Sequence, residues 1–322
     1  MLISNEASKS QNRVVLVTGG AGYIGSTLVP DLLNDGHEVT VLDNFMWGEN
    51  SLAGVCSNKN FNVVRGDIRI KETMAPLIAN ADIIIPLAAL VGAPLCNKDP
   101  IGAQTTNHDA ILMMLDMLSK DQKVLMPTTN SAYGSGDKDN FCTEESDLHP
   151  ISKYAIDKVA IEKELMKNPN AISFRLATVF GMSPRMRMDL LVNDFVYRAV
   201  NDGTVVLFES HFKRNYIHVR DVSRVFRHGI TNFDAMKGDI FNVGLSEANL
   251  SKLELCQEIQ KQIPKFTFIE AKVGKDPDQR NYIVSNDKIE STGYKPAHGI
   301  QDGIEELIKG FTTIKKSGYS NV

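Results

Sequence analysis

The chain has little of what would place it outside an ordinary reducing, aqueous setting. It carries four cysteines in 322 residues. Cys56, Cys96, Cys142 and Cys256 are scattered, with no C-x-x-C pair and no Cys/His cluster. That spacing excludes a disulfide framework and a zinc site, and it reads as the reduced thiols of a cytoplasmic protein. An excess of positive charge is missing. Lys and Arg number 35 against 39 Asp and Glu, for a formal net charge of −4, which leaves no electrostatic footprint for nucleic acid. No apolar run approaches the roughly 18 residues a membrane span needs. Met1 to Asn12 are polar and lack an apolar h-region, so they read as a loose leader and not a signal peptide. No internal repeat and no low-complexity linker interrupts the chain.

What is present is an ordinary enzyme-like composition, 43% hydrophobic and 23% charged. Apolar runs of strand length alternate with amphipathic stretches through the first half. Val14–Thr18, Glu38–Leu42, Phe61–Arg65, Asp82–Leu87, Lys123–Pro127 and Ile172–Leu176 predict strands, and Ile24–Asn34, Lys71–Ile78, Thr105–Leu118 and Tyr154–Met166 predict helices. Such alternation implies a parallel sheet covered on both faces. After Gly181 the pattern is less regular, with Pro184, Pro264, Pro277 and Pro296 between shorter elements. We therefore expect a first domain over 13–180, to which the chain returns around 215–243. A smaller α/β substrate lobe is expected over 181–214 and 244–322. The apolar helix Thr105–Leu118, with the helix carrying Tyr154, is expected to form a homodimer interface unless it is ordinary core.

Val14 to Gly25 read as strand, glycine turn and helix start, with Gly19, Gly22 and Gly25 at G-x-x-G-x-x-G spacing. Glycines there permit the tight turn, the close approach of a pyrophosphate and close helix packing, while the helix N-terminus supplies amides. Asp43 closes the second strand, eighteen residues after Gly25. A carboxylate there accepts from the adenosine ribose and repels a 2′-phosphate, which favours NAD over NADP; otherwise it merely starts a turn. The fold class is thus α/β, a Rossmann-type doubly wound parallel sheet. Tyr154 and Lys158 stand four residues apart, hence one turn apart on one helix face. An ammonium held there favours the phenolate of a side chain that ordinarily titrates near 10. The bland alternative is a surface pair sharing a helix by chance.

Six segments, in order, resemble the extended short-chain dehydrogenase/reductases, specifically the NAD-dependent nucleotide-sugar epimerase/dehydratase branch. They are Thr18-Gly-Gly-Ala-Gly-Tyr-Ile-Gly25, Gly66-Asp-Ile-Arg69, Leu87-Ala-Ala89, Tyr133-Gly134, Tyr154-x-x-x-Lys158 and Arg214-Asn-Tyr-Ile-His-Val-Arg-Asp221. The likeness runs from about Arg13 to Pro296. Within the branch, Leu87–Cys96 and Ser183-Pro-Arg-Met-Arg187 are most similar to GDP-heptose 4-dehydrogenases. The resemblance implies that Tyr23, Ile24, Asp43 and Asn44 join the glycines at the cofactor. Asp67 and Ile68 would bracket adenine, with the Asp67 carboxylate on its amino group, and Leu87, Ala88 and Ala89 would line the cofactor's path. Asn107 would support the active-site loop. Lys158 would hold the nicotinamide ribose and lower the pKa of Tyr154. The catalytic hydroxyl falls on Thr129, with Ser131 able to share its role.

The resemblance also implies a nucleotide-diphosphate sugar as substrate. Arg214 matches the diphosphate arginine, Arg280 is a second candidate and Lys275 a less specific one. Arg185, Arg187 and Asn193 would stand beside the sugar or diphosphate, Arg185 and Arg187 each being equally readable as a surface arginine. Thr178, Asn130 and Ser131 complete the expected substrate contacts. Family dehydratases place an Asp-Glu pair directly after the catalytic Thr, where this chain has Asn130 and Ser131. Without those carboxylates, 4,6-dehydration and decarboxylation are disfavoured, leaving epimerisation or net redox chemistry at C4. From another class, a non-catalytic dinucleotide-binding regulator stays open, although such proteins typically lose the Tyr or the Lys. His218, His211, His108 and His149 are assigned no chemistry.

Overall fold

The computed structural model describes residues 12–48, 50–135, 141–271 and 280–314. Lys275 and the expected leader up to residue 11 fall outside these spans. In chain order the first half runs β1 (Val14–Thr18), α1 (Gly25–Asn34), β2 (Glu38–Asp43), β3 (Phe61–Arg65), α2 (Lys71–Ala79), β4 (Ile83–Pro86) and α3 (Ala93–Lys98). It continues through α4 (Pro100–Gln104), α5 (Ala110–Asp116), β5 (Lys123–Thr129), α6 (Lys153–Leu165) and β6 (Ala171–Leu176). Next come β7 (Thr178–Phe180), α7 (Leu191–Asn201), β8 (Thr204–Leu207), β9 (Lys213–His218), α8 (Val219–Thr231), α9 (Phe233–Met236) and β10 (Asp239–Val243). The chain closes with β11 (Asn249–Ser251), α10 (Lys252–Gln262), β12 (Thr267–Glu270), α11 (Asp287–Ser291) and α12 (Ile300–Thr313).

Seven of these strands form one parallel sheet in the order β10-β6-β5-β4-β1-β2-β3. The short β-branched runs explain why it is buried on both sides. Along β1, Val15 and Val17 enter the core shared with α1 and α8, while Leu16 turns to the core shared with α2, α5 and α6. This is the two-residue alternation of a strand with helices on each face. The order reverses between β1 and β4, and such a reversal opens a crevice at the strands' carboxyl ends. Two smaller sheets, β11-β9-β7 and β12-β8, build the rest with α7, α10 and α12.

The expected helix Thr105–Leu118 is not continuous. Thr105–Asp109 form a π-helical turn before α5 begins. The cause lies in Asn107, whose side chain is drawn onto the neighbouring loop: its Oδ1 accepts from the Leu90 amide and its Nδ2 donates to the Leu90 carbonyl, both at 2.8 Å. A single π turn of this kind re-aims one side chain without ending the helix.

Candidate active site

The crevice at the β1–β4 reversal is a cleft with about 770 Å³ of empty space, part of it open to solvent. It is lined by Gly19, Gly22, Asp43, Asn44, Asp67, Ile68, Leu87, Ala88 and Ala89, so nine residues expected to hold the cofactor come together there. Tyr23, Ile24 and Gly25 follow directly, at the start of α1, where no side chain caps the helix. Gly19 has φ +69, and a Cβ on it would stand 2.5 Å from the Ala88 amide nitrogen. Only glycine lets β1 turn this close to the end of β4. A Cβ on Gly22 would meet nothing but the Gly19 carbonyl oxygen, so that face of the loop is open to a ligand's phosphates. The cleft therefore fits a dinucleotide: open glycine backbone, an uncapped helix end and an acid at the tip of β2.

Asp43 is already at work. Its Oδ2 accepts from the Ala21 amide at 2.9 Å and its Oδ1 from the Phe45 amide at 2.8 Å, which ties the glycine loop to β2. Spare lone pairs remain for a ribose hydroxyl. Asn44 turns its Oδ1 onto the Met46 amide at 3.0 Å. The Asp67 carboxylate, expected on the adenine amino group, also carries Arg69, with Nε 3.0 Å from both carboxylate oxygens and Nη2 2.5 Å from Oδ2. The Arg69 guanidinium holds the Asp67 carboxyl below the usual carboxylate range. Trp47, Met46 and Arg69 also line the cleft. They escaped the sequence reading, although a lone tryptophan just past the acid of β2 was a visible signal.

The catalytic candidates converge from β5 and α6. Thr129 ends β5 and is buried; its Oγ1 donates to the Ser131 Oγ at 3.0 Å and accepts the Ser131 amide at 3.1 Å. Arg280 Nη1 donates to that same Ser131 Oγ, so the C-terminal part of the chain reaches the turn that follows β5. Asn130 lies between them, fully buried, and neither end of its amide has a partner among the described residues. Ser152 caps α6 by accepting from the Ala155 amide at 3.2 Å, which starts the helix just before Tyr154.

The electrostatics depart from expectation. Burial pushes the Tyr154 phenol up to about 12, and the charges that oppose it are Arg187 first and then Arg280. Lys158 is itself pulled down to about 8 by burial, and its Nζ donates to the Pro127 carbonyl at 3.2 Å. Burial thus shifts each of the two groups towards its neutral form.

The second-lobe residues divide. Arg187 and Arg280 act on Tyr154, and Arg214 is buried on β9 with its guanidinium 5.9 Å from the Tyr282 ring centre. Arg187 also forks onto Asp189. Arg185 belongs elsewhere: it stacks 4.8 Å from the Trp47 ring centre, at the cofactor cleft, and its amide donates to Ser26 Oγ at 3.2 Å. Asn193 is not open to a diphosphate. Its Nδ2 donates to the Arg187 carbonyl at 2.7 Å and the Tyr23 hydroxyl at 3.3 Å, and its Oδ1 takes the Gly181 amide at 3.0 Å. With Tyr23 donating to the Gly181 carbonyl at 2.7 Å, it stitches the lobe to the glycine loop. Thr178 opens β7 opposite Tyr216 and stays partly exposed. His218 accepts the Arg220 amide at Nδ1 and places Nε2 2.7 Å from Glu306, a structural clamp on α12.

Comparison with known proteins agrees with this geometry. The model of the NAD dependent epimerase/dehydratase family matches residues 15–244. The low-salt glycan biosynthesis protein Agl12 of Haloferax volcanii is 29% identical over 316 residues, covering 91% of this chain and 97% of that protein. UDP-glucuronic acid decarboxylase 1 of Danio rerio is 25% identical over 323 residues, covering 95% of this chain and 74% of the relative. The crystal structure of Thermus thermophilus UDP-glucose 4-epimerase with NAD superposes with a TM-score of 0.80 at 25% identity, over 93% of this chain and 99% of that one.

Proposed function

This chain belongs to the NAD-dependent epimerase/dehydratase family, and we propose that it performs redox chemistry at C4 of a nucleotide-diphosphate sugar, as a 4-epimerase or a 4-dehydrogenase. The observation that carries this reading is the bond of Arg280 to Ser131 Oγ, which also takes the Thr129 hydroxyl, while the charges of Arg187 and Arg280 bear on the Tyr154 phenol. A phenol felt by phosphate-binding cations is where a base needs to be if the substrate's anion and its reacting hydroxyl are held at once.

Bound NAD⁺ supplies the hydride acceptor. Tyr154 takes the proton of the C4 hydroxyl, and Thr129 steadies the same oxygen with its hydroxyl. Arg214 and Arg280 hold the diphosphate, and Lys158 supports the cofactor ribose. Elimination of water across C5 and C6 needs acids that Asn130 and Ser131 do not provide. Related decarboxylases also keep an acid at this position, so its absence disfavours decarboxylation as well.

The test is mass and stereochemical analysis of products after incubation with UDP-glucose, UDP-glucuronic acid, UDP-N-acetylglucosamine, dTDP-glucose and a GDP-heptose. An unchanged mass with inverted C4 identifies an epimerase, and loss of two hydrogens with NADH formed identifies a dehydrogenase. Loss of water refutes the reading in favour of a dehydratase. Silence across the panel with NAD bound favours a dinucleotide-binding regulator.

A further inference from the structure

Behind the catalytic turn lies a buried ionic network that the reaction does not use directly. Glu162 and Arg175 are each 3% exposed and meet at 2.6 Å. Glu162 Oε2 also accepts from Thr128 Oγ1 at 2.9 Å and from Ser173 Oγ at 2.7 Å. Arg175 continues the chain, its Nη1 donating at 2.9 Å to the Tyr133 hydroxyl, which lies 2.7 Å from Asn242 Oδ1 on β10.

A buried ion pair is poor evidence for stability, since apolar residues of similar volume commonly do as well or better. Its persistence therefore calls for another reason, and the connections supply one. Tyr154, Lys158 and Glu162 recur every four residues along α6, so they share one face of the helix. Two successive turns of that face bind two successive residues of β5: Lys158 holds the Pro127 carbonyl and Glu162 holds Thr128. The next residue of the strand is Thr129. Arg175 then ties in Tyr133, at the end of the 3-10 turn that begins at Asn130.

We propose that Glu162 is a positioning residue whose carboxylate sets the helix carrying Tyr154 and Lys158 against the strand end carrying Thr129. The two hydroxyls reach the same substrate oxygen only if these segments keep one relative placement, and the rung through Thr128 fixes it. This rests on the reading of Tyr154 and Thr129 as the groups at the substrate oxygen.

The test severs that rung without unpairing the charges. Thr128→Val keeps the shape of the side chain and leaves Glu162 on Arg175 and Ser173, whereas Thr128→Ser restores the donor. The probe is whichever of the five nucleotide sugars above the wild type turns over fastest. Displacement of one hydroxyl predicts a kcat at least about tenfold lower for T128V, with KM and NAD affinity within about twofold of wild type, and recovery in T128S. T128V with wild-type kcat overturns the proposal, as does a loss that T128S fails to rescue or that KM and cofactor affinity share. Tyr154→Phe runs alongside. If it is inactive while T128V is normal, this inference alone falls; if it keeps full turnover, the proposed function falls and takes this inference with it.

Discussion

Replacing Lys158 by methionine is expected to stabilise the protein while it abolishes turnover. Lys158 is 5% exposed, and burial lowers its ammonium from the ordinary 10.5 to about 8. At about 1.4 kcal/mol for each tenfold change in protonation, the charged form carries on the order of 3 kcal/mol of instability at pH 7. Methionine fills similar volume without the charge. It gives up the bond to the Pro127 carbonyl, worth about 1 kcal/mol, so the net gain is roughly 2 kcal/mol. For a chain this long that lifts the melting temperature by about 3 °C. The pH dependence sharpens the test. Between about 8 and 10.5 the unfolded chain binds the lysine proton more tightly than the folded one, so wild-type stability from this group rises with pH through that window. The variant has no such rise. Its advantage should therefore be full at pH 7, vanish within that window and reverse by pH 10.5, where only the lost Pro127 bond, about 1 kcal/mol, separates the two proteins. Thermal melts of both proteins across that range decide the matter. A K158M protein that melts below wild type at pH 7, or an advantage that does not shrink with pH, refutes the reasoning.

Asp43→Ala removes the acceptor of the Ala21 and Phe45 amides along with the ribose partner, and NAD affinity measured by calorimetry should fall by roughly tenfold to a hundredfold. Arg280→Met should raise KM for the nucleotide sugar by about a hundredfold and leave NAD affinity unchanged, as expected for loss of a charge-assisted phosphate contact. Ile156 is 47% exposed on α6 and Ile101 is 76% exposed on α4. If this face joins two copies, Ile156→Glu should turn a dimer into a monomer in light scattering, and an unchanged mass counts against the interface.

Features encoded in short stretches of chain were legible before any coordinates. The glycine loop, Asp43 and the Tyr154–Lys158 spacing each lie within one strand–turn–helix unit, so sequence distance translates directly into spatial distance. β1 and β3 match the expected residues, and β2 and β5 differ by running one and two residues further, to Asp43 and Thr129. What escaped depends on partners far away in sequence. Asn193 looked available to a phosphate because nothing local shows that Tyr23, 170 residues distant, claims its amide. Arg185 sat among arginines in the sequence, yet the fold turns it onto Trp47 and leaves Arg187 towards Tyr154. Burial raises the Tyr154 pKa where the spacing to Lys158 alone suggests the opposite, because spacing reports proximity of charge and says nothing of desolvation. The π turn at Thr105–Asp109 was invisible for a related reason. Its cause is a loop carbonyl and amide seventeen residues upstream.

Trp47 is the only tryptophan of the chain. It lines the cofactor cleft, and the Arg185 guanidinium lies 4.8 Å from its ring centre. All indole fluorescence of this protein therefore originates at one wall of one cleft, next to a cation that modulates the excited ring. A ligand entering there changes the emission of every emitting molecule, with no background from other tryptophans. Cofactor occupancy can thus be titrated optically on the unlabelled protein, before any substrate is known.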